Sequence, residues 1–117
     1  MGNFKELKVW QLAKDLAVEI YKLTDQGNFK TDFGIRDQMR RSSVSIPSNI
    51  AEGDELGTDR QSIRHFFIAR GSTAELRTQL LITKEIGYLP INKFDDLEQK
   101  CDNIGAMITG LIKYRNK

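Results

Sequence analysis

Apolar residues recur along this chain at alternating steps of three and four. Val9, Ala13, Leu16, Ile20 and Leu23 set the rhythm at steps of 4, 3, 4 and 3, and Trp10, Ala17 and Tyr21 widen the stripe on one side. This is the average period of helices packed in bundles, so a first helix is expected, ended by Gly27 and followed by a short connection over 27–32. Ile35, Met39, Ile46 and Ile50 then share one face, which predicts a second helix from Phe33 to Glu52 with Gly53 and Gly57 marking its exit. Thr58 followed by Gln61 reads as a capping box opening a third helix, which lasts to Ile86 and stops at Gly87. Beyond Pro90, Asn92 is the expected cap of a fourth helix, with Asp95 and Asp96 in its first turn. Phe94, Leu97, Cys101, Ile104, Ile108 and Leu111 keep the 3, 4, 3, 4, 3 spacing there. No alternating stretch of strand length interrupts the pattern. Short connections imply antiparallel neighbours, so the expected fold class is all-α: an up-down-up-down four-helix bundle in one domain over residues 1–117.

The stretch SSVSIPSNIAEG, Ser42 to Gly53, departs most from an ordinary amphipathic helix. Pro47 removes a backbone donor and crowds the carbonyl four residues earlier, at Ser43. The hydroxyls of Ser43, Ser45 and Ser48 are placed to satisfy groups loosened by such a kink. A bent, polar-studded helix suggests a surface shaped for contact.

The third helix carries more apolar surface than a bundle core requires. One stripe runs Ile63, Phe67, Gly71, Ala74, Thr78 and Leu81, small in the middle and large at its ends, while Phe66, Ile68, Leu76, Leu80 and Ile82 occupy the other faces. Gly71 costs about 1 kcal/mol in a helix interior, and close approach by another backbone is the compensation to look for. Either this helix is simply the most enclosed of the four, or a second copy of the chain covers its surplus face. Oligomerisation is the expectation.

Composition narrows the function. With 117 residues, 39% hydrophobic and 29% charged, the chain is one globular domain able to hold a core without staples. Its net charge of +2 is too mild to announce a nucleic-acid binder, so a basic footprint depends on placement. Cys101 is alone, which excludes an internal disulfide and suits a reducing cytoplasm. The first residues have no apolar run behind them, and Glu6 argues against the myristoylation reading that Gly2 invites. No segment reaches the length of apolar sequence that crosses a membrane, so no membrane partner is expected.

Chemistry-bearing residues are sparse. His65 is the sole histidine, and Ser62 stands where a Glu-x-x-His metal motif needs its carboxylate, so no metal and no cofactor are expected. Cys101 falls on the apolar stripe of the fourth helix, where a buried inert thiol is expected rather than a nucleophile. No glycine spacing matches a phosphate loop. The chain reads as a non-enzyme, with no catalytic residues.

The arginines are better organised. Arg36 and Arg40 share a face of the second helix at a spacing of four, as do Arg60 and Arg64 on the third. These four are the candidate contacts to RNA or DNA phosphates; the alternative is an ordinary solvated face among Asp37, Glu55 and Asp59. Antiparallel pairing brings Arg41 level with Gly71 and within about one turn, roughly 5.4 Å, of Glu75, and sets Glu52 near Arg60. Arg41 is therefore expected to pair internally with Glu75 or Glu52. Arg41, Pro47, Asn49, Glu52, Gly71 and Glu75 are the expected structural and oligomer-forming positions. Lys113, Tyr114, Arg115 and Lys117 end the fourth helix, where basic groups complement its C-terminus.

Three stretches carry a family resemblance: LKVWQLA (Leu7 to Ala13), QMRRSSVSIPSNIAEG (Gln38 to Gly53) and GSTAEL (Gly71 to Leu76), followed by IGYL at Ile86 to Leu89. Through them the chain resembles the bacterial four-helix bundle proteins encoded by intervening sequences in some 23S ribosomal RNA genes, also labelled S23 ribosomal proteins. The accessory variability protein of diversity-generating retroelements looks like a relative. The resemblance implies a ring-shaped homopentamer, and the retroelement relative implies nucleic-acid binding through a basic surface. It implies no enzyme activity. The competing expectation is a protein-interaction scaffold that binds no nucleic acid.

Overall fold

The computed structural model describes residues 2–56 and 58–116. It contains four α-helices: α1 (Lys8–Leu23), α2 (Phe33–Glu55), α3 (Asp59–Glu85) and α4 (Ile91–Arg115). Single 3-10 turns at Phe4–Glu6 and Gly27–Lys30 precede α1 and α2. No strand occurs among the described residues, so the architecture is all-α, compatible with a four-helix bundle, and 44 × 20 × 20 Å in extent. Gly57 and Lys117 lie outside the described residues, and with them their expected roles at the ends of the second and fourth helices.

Local chemistry sets each boundary. α1 ends at Leu23, short of Gly27, because buried Thr24 closes it: its Oγ1 donates to the Ile20 carbonyl at 2.7 Å and accepts from Arg40 Nε at 2.9 Å. Gly27 then takes the turn at φ +56, a conformation that favours glycine. Asp32 caps α2, its Oδ1 accepting from the Ile35 backbone N–H at 3.4 Å. Thr58 caps α3 through the Gln61 N–H at 3.3 Å, but the reciprocal side-chain bond of a full capping box is not formed. α3 closes in a Schellman motif about Gly87, at φ +87. There Gly87 N–H donates to the Lys84 carbonyl at 3.1 Å, and Tyr88 N–H to that of Thr83 at 2.9 Å. Pro90 rather than Asn92 holds the cap position of α4; its carbonyl accepts the first helical bond, from Phe94 N–H at 2.9 Å, and Asn92 lies exposed inside the helix.

α2 continues past Glu52 to Glu55, so Gly53 is interior rather than an exit. Its missing side chain admits Phe66 of α3: a Cβ there would lie 2.5 Å from Phe66 Cε1. Pro47 sits inside α2 without ending it, buried beside α1. Around it Ser43 Oγ donates to the Arg40 carbonyl at 2.9 Å, and Asn49 Nδ2 to the Ser45 carbonyl at 2.9 Å. Ser48 is exposed and takes no part.

The core collects Val9, Ala13, Leu16 and Ile20 of α1, and Met39, Ile46 and Ile50 of α2. To these α3 adds Phe66, Ala69, Leu76 and Leu80, and α4 adds Phe94, Leu97, Cys101, Ile104, Ile108 and Ile112. Ile112 closes the α4 stripe, one residue beyond the expected Leu111, which is half-buried. The buried face of α3 differs most from expectation. It interleaves apolar groups with Ser62, Ser72, Thr73, Gln79 and Thr83, and the Ser62, Thr73 and Thr83 hydroxyls donate to carbonyls of their own helix, or of its cap, at 2.9–3.0 Å. The stripe through Phe67, Gly71, Ala74, Thr78 and Leu81 faces outward instead. Among the described residues, nothing beyond its own helix lies within 4 Å of a would-be Cβ on Gly71, so no backbone of another helix of the chain approaches it there.

Candidate functional site

Eight arginines are distributed over α2, α3 and α4, and most are committed within the chain. Arg40 donates to Thr24 Oγ1 and, at 3.3 Å, to the Tyr21 carbonyl, with its guanidinium 4.6 Å from the centre of the Tyr21 ring. It holds the C-terminal end of α1, where a cation complements the exposed carbonyls. Arg36 meets Asp37 at 3.2 Å and the Lys30 carbonyl at 3.3 Å, and stacks over Phe33. Arg70 donates to Thr109 Oγ1 at 3.3 Å and Arg77 pairs with Asp102 at 3.0 Å, both tying α3 to α4.

Arg115 reaches across the far end of the bundle. One guanidinium nitrogen donates to Ser62 Oγ at 3.1 Å and the other meets buried Asp54 Oδ1 at 3.3 Å, with Asp59 at 3.6 Å. It therefore does more than complement the α4 terminus; it ties the start of α3 and the end of α2 to the last turn of α4.

Arg41, Arg60 and Arg64 remain uncommitted. All three are exposed, and none has an ion-pair partner among the described residues. The expected pairing of Arg41 with Glu75 or Glu52 is not formed. Arg41 and Glu75 stand on the exposed flanks of their helices, and the Glu52 carboxylate turns to His65 instead, at 3.4 Å. Of the four candidate phosphate contacts, Arg36 and Arg40 are thus occupied at the α1–α2 connection. Arg60 and Arg64 are free, one turn apart at the start of α3.

A polar seam joins α2 to α3. Ser72 Oγ donates to Ser45 Oγ at 2.8 Å, and Asn49 Nδ2 reaches the same oxygen at 3.0 Å. The amide's nitrogen being so engaged, its Oδ1 faces His65 Nδ1 at 2.9 Å, which assigns the ring proton to Nδ1. Asn49 and Glu52 of the expected structural set are thus in this seam or beside it, whereas Pro47 faces α1 and Gly71 and Glu75 are on the outward side of α3. Reasoning from sequence missed the seam's α3 half, Ser72 and His65. The clue available was register: positions 45 with 72 and 49 with 65 face one another about the same turn.

Two surfaces are apolar. The outward side of α3 exposes Phe67, Ile68, Leu81 and Ile82, with Ile86 at its end. Between α1 and α2 a groove of about 430 Å³ is lined by Ala17, Val18, Tyr21, Val44 and Pro47 and flanked by Lys14 and Lys22. On the opposite side of α1, Glu19 receives Lys93 at 2.6 Å and Lys100 at 2.9 Å from α4. Burial works to raise the Glu19 carboxyl, but the hydrogen bonds and positive charges of the two lysines together outweigh it and hold it below the ordinary value. The bond to Glu19 likewise lifts Lys100 above its ordinary range.

Burial pushes the Cys101 thiol up to about 12, far from a reactive thiolate. Among the described residues no three His, Cys, Asp or Glu gather closely enough to hold a metal ion. Nor is any helix long and apolar enough to cross a membrane.

The model of the family described as 23S rRNA-intervening sequence protein matches residues 5–110. Among solved structures, the chain is similar to a protein with unknown function from the S23 ribosomal protein family of Bacteroides thetaiotaomicron VPI-5482. The two share 23% identity over 90% of this chain and 98% of that one, with a TM-score of 0.82, a likeness that shows the fold. No curated protein matches.

Proposed function

This chain belongs to the 23S rRNA-intervening sequence protein family, and we propose that it is a non-enzymatic, self-associating helical bundle that touches RNA or DNA phosphates through Arg60 and Arg64. The observation that carries this reading is the contrast among the arginines. Those of α2 and α4 that could have formed a footprint are mostly spent on the chain itself, whereas Arg60 and Arg64 stand exposed and unpaired, one turn apart. Free guanidinium forks at that spacing suit successive backbone phosphates, which position a duplex or hairpin without reading its sequence. The nucleic-acid contact is therefore electrostatic and local.

Within this reading the helices are antiparallel, up-down-up-down. Contacts of Ser45 with Ser72 and Asn49 with His65, and of Arg77 with Asp102 and Arg115 with Ser62, support opposed directions for α2, α3 and α4. The assembly is a ring-shaped homopentamer, as the family resemblance implies, working in the cytoplasm. Support for self-association is the uncovered apolar side of α3, because monomers rarely leave such surfaces wet.

The test is fluorescence anisotropy of structured RNA and duplex DNA across a salt series, for the wild-type protein and for Arg60→Glu/Arg64→Glu. Affinity should fall steeply with salt, and the double variant should flatten the log–log slope by about two. Binding that ignores salt, or its absence from both nucleic acids at low salt, overturns the nucleic-acid part. A scaffold for another protein is the second reading, favoured by the same exposed apolar residues of α3. It predicts partner capture that survives the arginine reversals and is lost on an apolar-to-charged change at Phe67.

A further inference from the structure

We infer that the groove between α1 and α2 is the docking site for the outward side of α3 of a second copy of this chain. The inference rests on the self-association proposed above and names the two surfaces that meet. Both surfaces are unpartnered and apolar, and the groove and the part of α3 beyond Gly71 are differently charged. In the groove, Val18, Tyr21 and Val44 are 40–46% exposed over a floor that includes Pro47. The charged groups beside them are cationic: among the described residues Lys22 has no ion pair, and Lys14 pairs only with its exposed neighbour Asp15, at 2.7 Å. Arg41, three positions before Val44, adds another unpaired cation.

The outward side of α3 is the complement. Beyond Gly71, Ile82 and Ile86 are 47–54% exposed, and the charges beside them without an ionic partner among the described residues are Glu75 and Glu85. Lys84 turns to the Phe94 ring of α4 at 4.5 Å, and the unpaired cations Arg60 and Arg64 lie at the other end of the helix. Arg77, on the flank toward α4, is neutralised by Asp102 at 3.0 Å. Spacing agrees as well as sign. Lys14 and Lys22 are about 12 Å apart along α1, and Glu75 and Glu85 about 15 Å apart along α3, each pair bracketing an aliphatic centre. Gly71 leaves the α3 side flat one turn before Glu75, so a neighbouring helix can lie against it.

The two surfaces sit on different sides of one bundle. A copy that has docked its α3 side still offers an open groove, so the contact is head-to-tail and ends only when a ring closes. This accounts for a ring without a two-fold interface, and it gives Glu75 and Arg41 a role across subunits that they lack within one.

Charge reversal with solution mass by light scattering tests the assignment. Lys14→Glu/Lys22→Glu and Glu75→Lys/Glu85→Lys should each weaken assembly, on the order of 100-fold, toward the 13.4 kDa single chain, while circular dichroism stays helical. Combining all four substitutions in one chain should restore the wild-type mass. Ile82→Gln, which alters no charge, should also weaken assembly. A monomeric wild-type protein would overturn self-association and docking together. An assembled wild type whose reversed variants stay assembled would overturn the docking alone. Variants that dissociate without rescue in the fourfold combination would show that these charges do not face each other, which also overturns it.

Discussion

Gly53 of α2 lies so close to Phe66 of α3 that a Cβ at position 53 would fall 2.5 Å from the ring's Cε1. The glycine whose missing side chain is used within the chain is therefore Gly53, which admits an aromatic ring of the next helix, and not Gly71, which faces open space. Gly53→Ala should lower stability by about 1–3 kcal/mol, because the aromatic ring is fully buried and has nowhere to move. Gly71→Ala should raise it by up to about 1 kcal/mol through helix propensity. Chemical denaturation of the two variants separates them; equal effects would contradict the packing described.

Arg40 and Arg64 look alike in sequence and differ in use. Arg40→Ala removes the bonds to Thr24 and Tyr21 that close α1, and should cost about 1–3 kcal/mol. Arg64→Ala, at an exposed position without a partner, should stay within about 0.5 kcal/mol. Urea unfolding midpoints decide this, and a destabilised Arg64→Ala protein would show an interaction that the structure lacks.

The Glu19 clasp between α1 and α4 should make stability depend on pH. Its carboxyl is held below the ordinary 4.5, so the contribution is complete above that value and lost as acid protonates it in the folded state. Lys100 is raised above 10.5, so its share is complete below that value and lost as alkali deprotonates it. Glu19→Gln should therefore cost about 1 kcal/mol at neutral pH, since both lysines are substantially exposed, and nothing once the wild-type carboxyl is itself protonated. Melting curves of both proteins from pH 3 to pH 8 should converge at the acid end.

Cys101 should be silent toward thiol reagents while the protein is folded. Fully buried, with its thiol pushed up to about 12, it offers almost no thiolate at neutral pH. Labelling with a maleimide should proceed at the rate of opening and accelerate in denaturant along with the loss of helical signal. Fast labelling of the native protein would contradict its burial.

These contrasts also show what the sequence discloses. The stripes of α1 and α4 were legible because their buried positions are almost all aliphatic and keep bundle spacing. α3 was not, because more than half of its buried positions are hydroxyl or amide side chains, and Thr73 and Thr83 satisfy themselves on its own carbonyls. Its aliphatic residues therefore report the outside as strongly as the inside. Among the arginines, spacing identified pairs on a common face but not which would be consumed. Arg40 is taken by a threonine and a carbonyl of another helix, Arg115 by an aspartate sixty-one positions away. Neither partner lies within reach of local pattern.

Asn49→Ala should expose the role of the α2–α3 seam. It leaves Ser45 with one fewer donor and His65 without its acceptor amide, and should cost about 1–3 kcal/mol in denaturant titration. An unaffected midpoint would mean water replaces the amide without loss.

Aliphatic side chains are forgiving neighbours: a helix displaced by one turn still finds grease to lie on. Ser45 with Ser72 and Asn49 with His65 permit no such slippage, since a shift of α3 along α2 would strand all four polar groups at once. The seam thus acts as a vernier between two long rods, rejecting misaligned pairings that an all-aliphatic contact would accept.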